Sequence, residues 1–132
     1  MEIGKKTALF AIGGGSYVGL EYLWRGRSHI SMFGAGGLCF LLIGRLERTG
    51  LSRWARAAAG AGIITAVELI TGLLVNRDHR IWDYRDRRGN ILGQICPLFT
   101  ALWIPVTVAA MGLYRGAEGL LEGMQKEKFR ES

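Results

Sequence analysis

The chain has 132 residues, a formal net charge of +6, 20 glycines and 2 prolines, and 49% of its residues are hydrophobic. Its charges fall in short bursts between long uncharged intervals. In a soluble domain of this size the charges are scattered along the helices and keep one face of each helix exposed to water, a pattern that this sequence lacks. We therefore expect a single integral membrane domain over residues 1–132. Basic residues at membrane borders account for the positive charge, so no nucleic-acid partner is expected.

Four uncharged or nearly uncharged intervals have the length of a membrane span, which takes about 17–25 mostly apolar residues. They predict transmembrane helices at about 6–24, 29–45, 56–76 and 94–114. The predicted fold class is all-α, a four-helix transmembrane bundle with short loops and a cytoplasmic helical tail. The alternative is a soluble four-helix bundle, whose helices would need polar outer faces that these segments lack.

The first span ends with an acidic side chain, Glu21, one turn before Arg25 and one turn after Tyr17. One interpretation is an interfacial carboxylate that pairs with Arg25 or Arg27. The other is a carboxylate on a transport path, where intramembrane acids are commonly found. His29 follows in the short first loop.

The third span carries Glu68 near its middle, where an ionisable group costs on the order of 2.5–3.5 kcal/mol on insertion scales. Helical spacing places it on a small or polar stripe with Ala61, Thr65, Gly72 and Asn76. The stripe predicts that Glu68 points into the bundle. The carboxylate either pairs with an arginine from a neighbouring loop or helix, or handles a cation or proton.

The third loop alternates acids and bases, with five arginines and three aspartates between residues 77 and 88. One interpretation is a solvated ion-pair network in which Trp82 and Tyr84 anchor the membrane interface. A metal site of His79 with the aspartates is a weaker alternative, because no ligand spacing here is diagnostic. A third interpretation is that the arginines form a basic entrance that attracts anionic substrates or anionic lipid.

The fourth span contains Pro97 near its start, where a missing N–H costs little, and Pro105 in its interior, where we expect a kink. The two cysteines, Cys39 and Cys96, both lie in spans and are expected to be buried small apolar residues. After Tyr114, apolar residues at helical spacing predict a cytoplasmic continuation of the fourth helix.

Lys and Arg near the span ends set the orientation of a membrane protein. Ten lie on the side of both termini and seven on the other, which predicts a multi-pass protein of the bacterial cytoplasmic membrane with both termini cytoplasmic. Dual topology is the alternative, because the third loop is so basic. Small residues four apart, such as Gly15 and Gly19 or Ala58 and Gly62, predict close helix packing and a homo-oligomer, most simply a dimer.

Several catalytic motifs are missing from the sequence. It contains no phosphate-binding loop of the type G-x-x-x-x-G-K-[ST], no nucleophile elbow and no HExxH zinc motif. We therefore expect no enzyme activity, no cofactor and no bound metal.

Four segments in order resemble one known family: "YVGLEYLWRGRSHISMFGAGGLCFLLIG", "AVELITGLLVN", "WDY" and "NILGQICPLFTALW". They are similar to small bacterial integral membrane proteins of the CmpB-like, type IV ABC-transporter permease family, over roughly residues 10–105. The link "RDRRG" before Asn90 departs from that family's pattern. By position, the resemblance implies signature residues that include Glu21, Arg25, Gly26, His29, Glu68, Thr71, Gly72, Asn76, Trp82, Asp83, Tyr84, Asn90, Gly93, Gln94 and Cys96.

Together, these observations predict a small transporter or permease-like protein coupled to a cation or proton through its intramembrane carboxylates. The alternatives are a non-transporting membrane subunit that binds a larger partner or anionic lipid, and a small oligomeric channel. The residues expected in a transport path or structural polar core are Tyr17, Glu21, Arg25, His29, Thr65, Glu68, Thr71, Asn76, Trp82, Asp83, Tyr84, Asn90 and Gln94.

Overall fold

The computed structural model describes residues 2–26 and 29–131 as four helices joined by short connections. α1 spans Glu2–Arg25, α2 spans Ile30–Leu46, α3 spans Arg53–Val75 and α4 spans Pro97–Glu131. The described residues contain no strand, so the predicted all-α class is confirmed.

Local chemistry explains where three of the helices begin. The His29 Nδ1 accepts a hydrogen bond from the Ser31 N–H at 3.1 Å and caps α2. The Ser52 hydroxyl accepts from the Ala55 N–H at 3.3 Å and caps α3. Side-chain acceptors at these positions satisfy N–H groups that lack a partner in the first turn. Pro97 is the first residue of α4, as predicted.

Two of the helices are long and apolar enough to cross a membrane. They are α3, with a mean hydropathy of 1.9, and the Pro97–Glu127 part of α4, with 1.5. α2 is apolar but has 17 residues, at the lower limit for a span. In α1, Glu21 and a run of glycines make the helix less apolar. The structure therefore supports two of the predicted spans by length and composition, and the four-span bundle stays a prediction.

Glycines allow the closest approaches between helices. A Cβ on Gly36 would lie 2.6 Å from the Tyr17 Cβ, and one on Gly37 would lie 2.7 Å from the Phe10 ring. A Cβ on Gly60 of α3 would collide with Thr107 of α4. By contrast, Gly15 and Gly19 have open space around them in the described part of the chain, so their predicted role in close packing has no counterpart within this protomer.

Ion pairs join all four helices at the end of the bundle that carries the N-terminus of α1, here called the ion-pair end. Lys5 of α1 lies 3.1 Å from Glu118 and 2.9 Å from Glu122 of α4. Glu47, just after α2, lies 3.1 Å from Arg56 of α3 and 3.4 Å from Arg115 of α4. α4 continues without a break to Glu131, as predicted for the tail.

Candidate functional site

The helices and the α3–α4 loop, residues 76–96, surround a cavity of about 240 Å³. Its wall is mostly aliphatic and aromatic, and it includes side chains from every helix. The principal lining residues are Ser16, Tyr17, Glu21, Met32, Cys39, Phe40, Ile43, Ile64, Glu68, Thr71, Trp82, Trp103, Val106 and Leu113. Carboxylates from two separate helices thus reach one largely apolar space.

Glu68 enters the cavity from the buried stripe of α3. It is 9% exposed, and Ala61, Gly72 and Asn76 of the same stripe are buried with it. On the other face of α3, Ile70 is 58% exposed and Leu74 is 73% exposed. The predicted orientation of Glu68 toward the bundle interior is therefore confirmed.

A tyrosine from the loop orients the Glu68 carboxylate. The Tyr84 hydroxyl donates a hydrogen bond to the Glu68 Oε2 at 3.0 Å, and both side chains are buried. The Tyr84 ring stacks on Phe99 with centroids 4.7 Å apart and planes 9° apart, which fixes the direction of the hydroxyl. A hydrogen bond to an ionised carboxylate contributes about 1.5–3 kcal/mol.

Glu21 reaches the same cavity from α1, one turn after Tyr17. It is 7% exposed, and Tyr17 lines the cavity beside it. Glu68 lines the same cavity, and the Tyr84 hydroxyl donates to it. Two tyrosine hydroxyls and two carboxylates therefore form one polar group, here called the Glu–Tyr cluster: Tyr17, Glu21, Glu68 and Tyr84. The predicted pairing of Glu21 with Arg25 or Arg27 lies outside the described side chains.

The α3–α4 loop is ordered by the amides of Asn76 and Gln94. The Asn76 Nδ2 donates to the Trp82 carbonyl at 2.7 Å and to the Gln94 Oε1 at 3.0 Å. The Asn76 Oδ1 accepts from the Ile81 and Trp82 N–H groups. The Gln94 Nε2 in turn donates to the Asn76 carbonyl at 2.9 Å. Both side chains are fully or almost fully buried, so this network fixes the backbone that carries Trp82 and Tyr84.

Trp82 forms part of the cavity wall and is not an interfacial anchor. It is 5% exposed, and its indole N–H donates to the Gln94 carbonyl at 2.9 Å. Tyr84 is 3% exposed. The prediction that these two aromatics anchor the membrane interface was wrong, because the loop folds back over the bundle and places both inside.

Four of the remaining predicted residues lie away from the cavity lining. Thr65 of α3 hydrogen-bonds with Thr100 of α4 at 3.0 Å. Asn90 braces the loop by donating to the Arg87 carbonyl and accepting from the Gly93 N–H. Asp83 is exposed and accepts two hydrogen bonds from the Arg85 guanidinium. This pairing with Arg85 lowers the pKa of Asp83 to about 2. His29 caps α2, and the Arg25 side chain is outside the described part.

His79 does not gather the loop aspartates around it. Its Nε2 is 3.0 Å from the Leu92 carbonyl, and its own backbone adopts a positive φ of 58°. No group of three or more His, Cys, Asp or Glu residues that could bind a metal occurs among the described residues. Cys39 and Cys96 are both free thiols, with Cys96 buried and Cys39 half-buried.

Nothing in the sequence marked several residues of the cavity wall as site residues. Phe40 and Met32 are ordinary apolar positions of α2 until the fold places them beside the Glu–Tyr cluster. Trp103 shares a helical face with Thr100 and Thr107, and the fold places it in the cavity wall. It is 7% exposed, and its indole N–H has no hydrogen-bond partner among the described residues.

The chain matches the protein family described as "Putative ABC-transporter type IV" over residues 25–126. This range covers more than half of the chain, so the chain belongs to that family, and the resemblance drawn from the sequence motifs is confirmed. Comparison with curated proteins and with solved structures gives no match. A transporter-like role agrees with the family membership.

Proposed function

We propose that this member of the type IV ABC-transporter family is a small multi-pass membrane transporter whose cavity lies on the path of a cation or proton. The observation that carries the proposal is that Glu21 and Glu68, from different helices, line one cavity. Ionisable groups at membrane depth face bundle interiors and mark ion and proton pathways. The family membership supports the transport role in general terms.

Glu68 is the central residue of the proposed mechanism. A proton and a cation compete for the same carboxylate, so binding one releases the other. Tyr84 donates to Glu68 at 3.0 Å and keeps the carboxylate oriented while its occupant changes. Glu21, which lines the same cavity, gives the exchanged ion a second acceptor.

We further propose a homo-oligomer in the bacterial cytoplasmic membrane, with both termini cytoplasmic. The open surfaces at Gly15 and Gly19 of α1 and at Gly62 of α3 support it, since small residues allow another helix to approach closely. In this orientation the ion-pair end lies in the cytoplasm and the α3–α4 loop lies on the opposite side.

The test is ion flux through purified protein reconstituted in lipid vesicles that contain a pH-sensitive dye. A potassium diffusion potential drives protons inward, and the initial rate is measured against protein-free vesicles. We expect the substitution Glu68→Gln to reduce the rate at least about tenfold, because it removes the charge that the ion meets. Tyr84→Phe, which keeps the ring, should reduce it by a smaller factor.

The matched control is Glu127→Gln, the same change on the exposed tail of α4. It should leave the flux unchanged. Equal rates for the wild type and Glu68→Gln would contradict the proposed path. A current that rises with ion concentration without saturation would instead favour a small channel.

A second candidate function is a membrane subunit that works with a separate ATP-hydrolysing protein or binds anionic lipid. It is favoured by the family membership together with the missing phosphate-binding loop in this sequence. Purification from native membranes distinguishes the two candidates. A stoichiometric partner that carries such a loop supports the subunit role, and full flux by the reconstituted chain alone argues against it.

A further inference from the structure

We propose that the cavity binds a small neutral molecule from the bilayer, one with an apolar body and an acceptor oxygen to which the Trp103 indole N–H donates. Such binding goes beyond the proposed ion transport, and the affinity for a neutral molecule does not depend on the charge of the Glu–Tyr cluster. Three features of the cavity support it: the chemistry of its wall, the position of its opening and one buried donor.

The wall of the cavity suits an apolar body. Apart from two carboxylates and a few hydroxyl groups, the lining consists mostly of aliphatic and aromatic side chains, such as Phe40 and Ile43. Its volume of about 240 Å³ is below the roughly 300–1,000 Å³ of sites for drug-sized molecules. The occupant is therefore small, and most of its contacts with the wall are van der Waals contacts.

The cavity opens between α1 and α4. Among the described lining residues, the exposed ones are Ser16 and Leu20 of α1 and Ala109 and Leu113 of α4. All four lie within the predicted spans of these helices, so in a membrane the opening faces the lipid tails. A neutral apolar molecule that is dissolved in the bilayer reaches this opening without passing through water.

The buried donor selects among apolar molecules. Trp103 is 7% exposed, and its indole N–H is buried without a hydrogen-bond partner among the described residues. The ring of Trp103 meets that of Tyr17 edge to face with centroids 6.2 Å apart, which holds the indole in the wall. A buried donor without a partner is costly. Because the hydrocarbon of lipid tails offers no donor, a carbonyl or ester oxygen gains a hydrogen bond on moving from the bilayer core to this site.

Benzophenone is a suitable probe, because it is neutral, joins two apolar rings to one carbonyl oxygen and forms covalent bonds with neighbouring C–H groups on irradiation. Labelling of the full chain in lipid nanodiscs is measured by mass spectrometry at increasing probe concentration. We expect saturable labelling of lining residues such as Met32 and Ile43.

Two competitors test the role of the oxygen. Phenyl benzoate, a neutral ester, should displace the probe. Diphenylmethane has the two rings of benzophenone without the oxygen, and it should compete about tenfold more weakly than the ester. Trp103→Phe keeps an aromatic ring but loses the N–H, so this difference should shrink to about twofold or less. Trp54→Phe, the same change on an exposed residue of α3, should keep the difference seen in the wild type.

A larger side chain at the rim tests the opening. Ala109→Trp should remove most of the saturable labelling, because the indole fills the space between α1 and α4. Ala101→Trp is the same change on the exposed surface of α4 outside the lining, and it should be labelled as the wild type is. Thermal unfolding shows whether each variant remains folded, and Ala109→Leu provides a smaller change if Ala109→Trp is unstable.

Labelling that does not saturate, or that is equal in the wild type and in a folded variant at Ala109, overturns the site. Equal competition by the ester and the hydrocarbon in the wild type, or an unchanged difference in Trp103→Phe, overturns the hydrogen bond to the indole. Failure of this inference and failure of the proposed function give different results. Saturable labelling without proton flux supports the site and contradicts transport, whereas flux without saturable labelling overturns the site alone.

Discussion

The two ends of the helical bundle are stabilised by different chemistry. At the loop end, the buried amides of Asn76 and Gln94 organise a stretch of 21 residues, 76–96, through hydrogen bonds of 2.7–3.3 Å. At the ion-pair end, Lys5 and Glu47 connect helices through partly exposed charges. A buried amide that loses its partner is costly, whereas an exposed ion pair contributes little and is screened by salt. The loop end positions Tyr84 against Glu68. Its buried hydrogen bonds therefore fix the positions of these side chains more tightly than the ion pairs fix the other end.

The largest expected effect is the substitution Asn76→Ala. Asn76 is fully buried and makes four hydrogen bonds with its side chain, so the change leaves several buried groups without partners. We expect the free energy of unfolding to fall by about 3 kcal/mol. Reversible unfolding in mixed micelles, followed by tryptophan fluorescence, measures this loss.

Asn90→Ala is the matched control within the same loop. Asn90 is half-buried, so water can replace the hydrogen bonds that it makes to the Arg87 carbonyl and the Gly93 N–H. The expected loss is about 1 kcal/mol. Equal losses for the two substitutions would show that burial of the amide is not what distinguishes Asn76.

An intermediate effect is expected for Lys5→Gln at the ion-pair end. The change removes contacts to Glu118 and Glu122, and the free energy of unfolding should fall by about 0.5–1 kcal/mol at low salt. The difference should shrink toward zero at 1 M salt, where the screening length is about 3 Å. The same unfolding measurement at two salt concentrations checks it, with Lys6→Gln as the exposed neighbour for control. A loss that does not depend on salt would contradict an electrostatic origin.

The smallest effect is expected for Asp83, on the outer surface of the loop. Its pairing with Arg85 lowers its folded-state pKa to about 2, below the ordinary value of 3.8. A lowered folded-state pKa gives a stabilisation that is complete above the ordinary pKa and is lost as the pH falls through about 2. Asp83→Asn should therefore lower stability slightly at pH 7, and the difference from the wild type should shrink as the pH falls from about 3.8 through about 2.

Unfolding titrations at several pH values measure the effect of Asp83→Asn. Arg85→Gln should give the same pH dependence, because the guanidinium of Arg85 is the main cause of the shift. A difference that grows at low pH would have the wrong sign for this pairing.

The sequence predicted the helices and the inward direction of Glu68, but not the shared cavity. Glu68 lies on a stripe of small and polar residues that one helix alone reveals. That Glu21 meets the same cavity depends on how α1 packs against the other helices, which periodicity does not encode. The family resemblance marked both carboxylates without saying that they meet.

The α3–α4 loop shows why the prediction that Trp82 and Tyr84 anchor the membrane interface was wrong. An aromatic residue just beyond a span is typical of the interface. Here the amides of Asn76 and Gln94, 18 positions apart, turn the chain back over the bundle. His79 and Leu92 adopt positive φ angles, which non-glycine residues rarely do, so this path was not predictable from local preference.

The contact between Gly60 and Thr107 allows a position outside the cavity lining to change the shape of the cavity. Any side chain at position 60 would collide with Thr107 and displace α4 outward. The Thr107 hydroxyl donates to the Trp103 carbonyl one turn earlier, so a shift of Thr107 moves the indole that forms part of the cavity wall. Side chains of increasing size at position 60 would therefore change the width of the cavity in steps. Both cavity carboxylates, Glu21 and Glu68, would keep their chemical identity.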